Sequence, residues 1–108
     1  MSEQAANLEI VDRSAQAVAA RLAGDLDIVT SENVKRELSE VFDSGATALT
    51  LDLGDVRFVD SSGLGTLVAL HRYAEAAGST FTVRSVPPQV QRLFEITRLD
   101  DLLAVETD

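Results

Sequence analysis

The sequence predicts one α/β domain whose mixed sheet has four to five strands and whose helices number three to four. The first observation is the order of the periodic segments, which is β-β-α-β-α-β-α-β along the 108 residues. The second is that two strand–helix–strand units follow each other, which favours parallel pairing with right-handed crossovers. The third is a short polar turn between the first two strands, which lets them form an antiparallel hairpin. We expect a tail over residues 1–7 and the domain over residues 8–106.

The first part of the chain predicts the hairpin and a helix. Two short apolar runs, residues 8–11 and 17–23, are expected to form the hairpin strands. The stretch LDIVTSENVKRELSEVFDSG then has the pattern of a helix that Thr30 or Ser31 can cap and that ends near Gly45. Four apolar residues of this helix are spaced at i, i+4, i+7 and i+8, which places them on one face. This predicted buried face consists of Val34, Leu38, Val41 and Phe42.

The middle of the chain predicts a strand, a polar motif and a second helix. Residues 48–53 form the clearest strand, bounded by Gly54, and a separate short run over residues 56–59 leads to the motif VDSSGLG. The helix after the motif is expected to end at Gly78. Its predicted buried face consists of Leu64, Leu67, Val68, His71 and Ala74.

The last part of the chain predicts a strand, a helix and a short final segment. Residues 79–84 alternate and are rich in β-forming side chains. Pro87 and Pro88 suit the first turn of a helix, where a missing N–H costs nothing. The run over residues 102–105 is either a short strand or a segment packed across the end. The inner face of the last helix is expected at Val90, Leu93, Phe94 and Thr97, and the aromatic core residues are expected to be Phe58, Phe81 and Phe94.

The composition favours a protein partner with a basic face. Nine basic against eighteen acidic residues give a net charge of −9, which repels phosphate backbones and anionic lipids, so we expect neither nucleic acid nor membrane partners. The chain has no cysteine and one histidine, His71, so neither a thiolate metal site nor a histidine-based triad is expected. No apolar run approaches the length of about 20 residues needed to cross a bilayer. These features predict a cytoplasmic protein without a metal or cofactor.

The motif VDSSGLG, residues 59–65, places three polar side chains where a helix should start. Asp60, Ser61 and Ser62 are all of types that accept hydrogen bonds from the free N–H groups of a first turn. One such cap is sufficient, however, and Gly63 and Gly65 each cost about 1 kcal/mol relative to alanine in a helix. We therefore expect a further use for the motif, such as close approach of a partner's backbone or open access to the serines.

Catalytic interpretations of the motif are disfavoured. A nucleophile elbow requires glycines two residues before and after the serine, and Val59 stands two residues before Ser61. The only candidate base, His71, lies about ten residues, or roughly 15 Å of helix, further on. A P-loop requires a lysine beside the serine, but Lys35 is the only lysine of the chain. The sequence therefore predicts that the protein is not an enzyme.

A serine at a helix N-terminus is, in contrast, a suitable phosphate acceptor. A phosphate adds about −1.5 to −2 charges at pH 7, and the free N–H groups and dipole of the helix partly accommodate them. The fold would survive the modification, whereas the surface next to Asp60 would change strongly. The pattern thus favours a switch on binding over a switch on folding.

The segment DVRFVDSSGLGTLVALHRYAEAAGSTFTVRSVPPQVQRLFEITRLDDLL resembles the STAS domain family, specifically bacterial anti-sigma factor antagonists. In that family an apolar residue and Asp precede a serine, then Ser or Thr, then Gly-Leu-Gly. A helix, a strand and a proline-led helix follow, as they do here. The upstream stretch RLAGDLDIVTSENVKREL also resembles the family's G-E-L-D loop and first helix. The likeness extends from about Leu8 to Val105.

The resemblance implies a mechanism of partner switching. The unmodified antagonist binds an anti-sigma factor that is also a serine kinase and thereby releases a sigma factor; the kinase phosphorylates the antagonist, and a metal-dependent serine phosphatase reverses this. By resemblance Ser61 is the phosphate acceptor, Ser62 the neighbouring cap hydroxyl, Asp60 the residue that orients the loop, and Asp25 a loop residue of the binding face. The partner-binding residues so implied are Asp25, Asp60, Ser61, Ser62, Gly63 and Gly65. The alternative is a STAS subunit of a transport system or of a stressosome-like assembly.

Overall fold

A computed structural model describes residues 7–14 and 16–106, which form a five-stranded sheet and four helices. The elements, in chain order, are β1 Asn7–Ser14, β2 Ala17–Leu26, α1 Ser31–Asp43, β3 Ala48–Val59, α2 Ser61–Ala76, β4 Thr80–Arg84, α3 Pro88–Thr97, α4 Leu99–Leu102 and β5 Ala104–Glu106. The predicted α/β class, the element order and the mixed sheet are confirmed. Residues 1–6 of the predicted tail lie outside the described residues, and Asn7 belongs to β1.

The strands follow their chain order across the sheet. β1 pairs antiparallel with β2, and β2, β3, β4 and β5 pair in parallel, so the predicted hairpin and parallel units are both confirmed. Because every parallel connection advances in the same direction, right-handed crossovers place the helices on one face of the sheet. The carboxyl ends of β2 and β3 lie side by side, since Leu26 pairs with Val59. The first turns of α1 and α2 therefore begin at the same end of the sheet.

The face of the sheet away from the helices has a row of alternating charges. The register places Glu9 beside Arg21, Arg21 beside Asp52, Asp52 beside Arg84, and Arg84 beside Glu106. Nε of Arg84 lies 3.7 Å from Oδ2 of Asp52. Opposite charges on neighbouring strands favour this register over one shifted by a residue.

The first helix confirms its predicted face. Its four predicted apolar residues are all buried, and they pack in the core with the fully buried Leu49, Leu51 and Leu53 of β3. Gly45 and Gly78, with φ of 110° and 72°, follow α1 and α2 in the left-handed region that glycine adopts at low cost. The predicted ends of both helices are thus confirmed.

The buried face of α2 differs from the prediction. The buried residues are Gly63, Thr66, Leu67, Leu70 and Ala74, whereas Leu64, Val68 and His71 are half-buried. Gly63 packs directly against the end of β2, so the buried face of α2 includes a residue without a side chain. Apolar periodicity cannot detect such a contact, because glycine contributes no hydrophobic signal.

Three strands are longer than predicted. β1 continues to Ser14, and β2 continues to Leu26, three residues beyond its predicted end at residue 23. β3 is one strand from Ala48 to Val59, so residues 48–53 and 56–59 are not separate. Gly54 does not interrupt β3, because β2 stays paired with β3 on both sides of it. The register between the two strands shifts twice in this region, between Arg21 and Ala23 and between Gly24 and Asp25. The longer β3 reaches the start of the motif without a loop.

Two smaller expectations, about Phe58 and Thr97, are wrong. Phe58 is 53% exposed and not part of the core, although Phe81 and Phe94 are buried as predicted. Thr97 is exposed and satisfies its hydroxyl by donating to the backbone carbonyl of Leu93 at 2.6 Å. The short α4 brings the number of helices to four, within the three to four expected, although its position was not predicted. The last strand begins after it, at Ala104 and not at Leu102.

Candidate functional site

The carboxylate of Asp60 links the start of α2 to the loop between β2 and α1. Asp60 follows the last residue of β3 and is the N-cap of α2, with extended backbone angles (φ −103°, ψ −172°). Its Oδ1 accepts a hydrogen bond from the backbone N–H of Gly63 at 2.9 Å, and its Oδ2 accepts one from the N–H of Ile28 at 3.2 Å. The capping role predicted for the motif is therefore confirmed, and Asp60 is the cap.

The two serines of the motif occupy the first two positions of α2. Ser61 is exposed and Ser62 is half-buried. Neither hydroxyl forms a hydrogen bond within residues 7–14 and 16–106, so Ser62 does not act as a second cap. Since the first N–H groups of a helix lack intrahelical partners and lie at the positive end of its dipole, added negative charge is favourable here.

Hydrogen bonds within the loop between β2 and α1 give it a fixed shape. Oδ1 of Asp27 accepts from the backbone N–H groups of Val29 and Thr30, at 3.0 and 3.2 Å. The Thr30 hydroxyl donates to the carbonyl of Asp25 at 2.9 Å and accepts from the N–H of Asp27 at 3.0 Å. Thr30 holds the N-cap position of α1 but makes no capping hydrogen bond, because its hydroxyl closes the loop. The predicted hydroxyl cap of α1 is therefore wrong.

Two aliphatic side chains stand at the tip of this loop. Ile28 is 74% exposed and Val29 is 79% exposed, although proteins usually bury both types. The hydrogen bond from the Ile28 N–H to Asp60 holds this tip beside the start of α2. Reasoning from the sequence missed both residues. The available signal was an adjacent aliphatic pair between polar loop residues, immediately before a helix.

Asp25 lies at the same end of the sheet as the motif. It is the penultimate residue of β2, and not a loop residue as implied, and its partner in the register is Phe58 of β3. Oδ1 of Asp25 lies 3.3 Å from Nη2 of Arg57, so the guanidinium partly neutralises this carboxylate. The exposed ring of Phe58 therefore lies next to a charged pair, close to where β3 leads into Asp60.

The two glycines of the motif have different environments. A Cβ atom on Gly63 would lie 2.3 Å from the backbone carbonyl oxygen of Leu26 and 2.9 Å from a methyl group of Val59. Gly63 is therefore required for the close packing of α2 against the end of β2. Gly65 is exposed, and a Cβ atom there would meet nothing within 4 Å. Packing does not explain why position 65 is glycine.

The single histidine pairs with a neighbour on its own helix. Nε2 of His71 lies 3.5 Å from Oε2 of Glu75, one turn further along α2 and away from Ser61. In the part of the chain that the structure describes, no group of three or more His, Cys, Asp or Glu residues is placed to hold a metal ion. None of the helices in that part is long and apolar enough to cross a membrane.

Known proteins resemble this chain along most of its length. The family model described as Mlab, STAS domain matches residues 10–104. The anti-sigma-B factor antagonist of Listeria monocytogenes is 29% identical over 100 residues, which cover 93% of this chain and 88% of that protein. The anti-sigma F factor antagonist of Paenibacillus polymyxa is 30% identical over 86 residues, covering 79% of this chain and 74% of that protein. The phosphorylated form of the Bacillus cell fate determinant SpoIIAA superposes with a TM-score of 0.70 and 27% identity, covering 95% and 92% of the two chains.

Proposed function

This chain belongs to the STAS domain family, and we propose that it is an anti-sigma factor antagonist that works by partner switching. In its unphosphorylated form it binds an anti-sigma factor that is also a serine kinase, and it thereby releases a sigma factor. Phosphorylation of Ser61 ends this binding. The names of the relatives in Listeria and Paenibacillus support the antagonist function.

The main support for the switch is the placement of Ser61. Its side chain is exposed at the first position of α2, directly after the capping carboxylate of Asp60. Asp60 in turn holds the loop whose tip exposes Ile28 and Val29. A kinase can therefore reach the hydroxyl of Ser61 without unfolding the protein, and a phosphate there lies next to the apolar surface that a partner would cover.

The electrostatic effect of the phosphate is large enough to end binding. About two negative charges would be added beside the side chain of Asp60, at the edge of a surface that loses water when a partner binds. Like charges in a desolvated interface cost several kcal/mol, and each 1.4 kcal/mol weakens binding about tenfold. The existence of a phosphorylated form of SpoIIAA, which is 27% identical, supports the same chemistry in this chain.

The switch also requires a second enzyme that reverses the phosphorylation. A metal-dependent serine phosphatase removes the phosphate from Ser61 and restores binding. The chain itself performs no catalysis, since it is the substrate of both the kinase and the phosphatase. The proposal places the protein in the cytoplasm, where sigma factors act, and its acidic surface of net charge −9 suits partners with basic contacts.

Phosphate mapping tests this proposal. The chain is incubated with the anti-sigma factor kinase of the same bacterium and Mg-ATP, and the phosphorylated residue is identified by tandem mass spectrometry. We expect one phosphate, on Ser61, and none on the Ser61→Ala variant. The Ser62→Ala variant serves as the matched control and should still be phosphorylated. A phosphate on another residue in the unmutated chain would refute the assignment.

A further inference from the structure

A groove lies between the first turns of α1 and α2, separate from the hydroxyl of Ser61. Its volume is about 290 Å³. Its polar lining comes from both helices, with Ser31, Glu32 and Lys35 on α1 and Ser62 and Thr66 on α2, and Gly65 opens its wall. This volume is sufficient for a group of a few heavy atoms, such as a phosphate or a carboxylate.

The groove lies at the positive ends of two helices. α1 and α2 follow successive parallel strands, so both helices begin at the same end of the sheet. No side chain caps the first turn of α1, since the hydroxyl of Thr30 is bonded within the preceding loop. The free N–H groups and the dipoles of both helices therefore favour a negatively charged group at this position.

The hydroxyl of Ser31 gives a second, independent indication of a ligand. Ser31 lines the groove, only 6% of its surface is exposed, and its Oγ has no hydrogen-bond partner within residues 7–14 and 16–106. Its backbone carbonyl is paired, because the hydroxyl of Thr66 donates to it at 3.4 Å. Buried hydroxyl groups nearly always have a partner, so the unpaired Oγ of this groove-lining residue is a donor that a ligand in the groove could use.

Lys35 and Gly65 provide charge and access. The ammonium of Lys35 lies 3.4 Å from a carboxylate oxygen of Glu32, whose side chain is 84% exposed and free to turn toward water. An anion in the groove can therefore replace Glu32 as the partner of Lys35. The absence of a side chain at Gly65 widens the groove. Access to the groove would therefore explain a glycine at a position where packing does not require one.

We propose that this groove binds a small oxyanion, either a free phosphate or a carboxylate. The ligand would accept hydrogen bonds from Ser31 Oγ, from Ser62 and from the free N–H groups of Glu32 and Asn33 in the first turn of α1, and would pair with Lys35. The N–H of Ser31 itself already donates to the carbonyl of Asp27 at 2.8 Å. The proposal goes beyond the partner-switching function. It concerns the isolated chain and requires neither a kinase nor modification of Ser61, so its failure would leave the proposed function intact.

Titration of the isolated full chain with inorganic phosphate tests the proposal. Backbone amide shifts are followed by ¹⁵N–¹H NMR at constant ionic strength, with chloride as the balancing anion, and a second series uses acetate. We expect saturable shifts concentrated at residues 31–35 and 62–66. Ser31→Ala and Lys35→Gln should each weaken the fitted affinity at least threefold. The matched controls Ser39→Ala, on the same helix, and Arg92→Gln, on α3, should leave it unchanged.

Each outcome of the titration decides the question. Saturation with phosphate but not acetate assigns the site to phosphate groups, and the reverse assigns it to carboxylates; both support an oxyanion site. Non-saturating shifts spread over the surface would refute the proposal. So would equal losses of affinity in Lys35→Gln and Arg92→Gln, because this would indicate a response to net charge alone.

Discussion

The carboxylate of Asp60 accepts a hydrogen bond from the backbone N–H of Ile28 at 3.2 Å. This bond joins the cap of α2 to the loop that exposes the aliphatic pair Ile28 and Val29. One side chain therefore connects the start of α2, where Ser61 lies, to the tip of the loop.

Replacing Asp60 by alanine should lower the stability of the whole domain. The variant loses the capping bond to Gly63, which is worth about 1 kcal/mol, and the bond to Ile28, worth about another 1 kcal/mol. We expect a loss of about 2 kcal/mol in urea unfolding. The control is Asp55→Ala, an exposed carboxylate in β3, which should change stability by less than about 0.5 kcal/mol. Equal stability of the two variants would contradict the bridging role of Asp60.

Replacing each of the two glycines of the motif by alanine should change the free energy of unfolding in opposite directions. Gly63→Ala places a methyl group 2.3 Å from the carbonyl oxygen of Leu26, a backbone atom that cannot easily move, and should destabilise by about 1–3 kcal/mol. Gly65→Ala meets open space and should stabilise by up to about 1 kcal/mol, because alanine favours the helix. Both effects are measured as free energies of unfolding. A destabilised Gly65→Ala would show that packing does constrain that position.

Polar substitution of the loop tip should weaken partner binding without weakening the fold. The double variant Ile28→Ser, Val29→Ser removes two exposed side chains, so stability should change by less than about 1 kcal/mol. If the anti-sigma factor covers both side chains, binding should weaken by at least tenfold, since each buried aliphatic side chain contributes about 1.5–3 kcal/mol. The measurement is titration calorimetry with the anti-sigma factor. Ile96→Ser, an equally exposed aliphatic residue on α3, should leave binding unchanged.

The hydrogen bond between Tyr73 and Asp43 should appear in a pH titration. The hydroxyl of Tyr73 donates to the carboxylate of Asp43, and this bond raises the pKa of Tyr73 above its ordinary value. Because the pKa of Tyr73 is higher in the folded than in the unfolded protein, this hydrogen bond stabilises the folded state fully at pH values below the unfolded pKa, which is near 10. The stabilisation is lost as the pH rises through the folded pKa of Tyr73. Tyr73 is the only tyrosine, so tyrosinate absorbance reports its ionisation directly. Asp43→Asn should lower the midpoint toward the ordinary value, and an unchanged midpoint would refute this cause.

The sequence predicted the fold and the location of the motif, but not the surface around it. Leu38 and Phe42 follow a clear helical period, and Asp60 is a side chain with strong capping preference, so simple patterns located them. Phe58 was misplaced because the pattern of β3 is irregular after Gly54, and aromatic residues are usually buried. Ile28 and Val29 were missed because their exposure depends on hydrogen bonds between segments far apart in the chain.

We propose that the charge state of Ser61 controls binding to the anti-sigma factor kinase. Affinities should be measured by titration calorimetry for the unmodified chain, Ser61→Ala and Ser61→Asp, with Ser14→Asp as a control. Ser14 pairs with Ala17 at the opposite end of the sheet, so its variant adds the same charge away from the site.

We expect Ser61→Ala to bind as the unmodified chain does and to stay bound when Mg-ATP is added. Ser61→Asp should bind at least tenfold more weakly, a loss of about 1.4 kcal/mol of binding free energy. Ser14→Asp should bind normally. Normal binding by Ser61→Asp, or release of Ser61→Ala by Mg-ATP, would contradict the account.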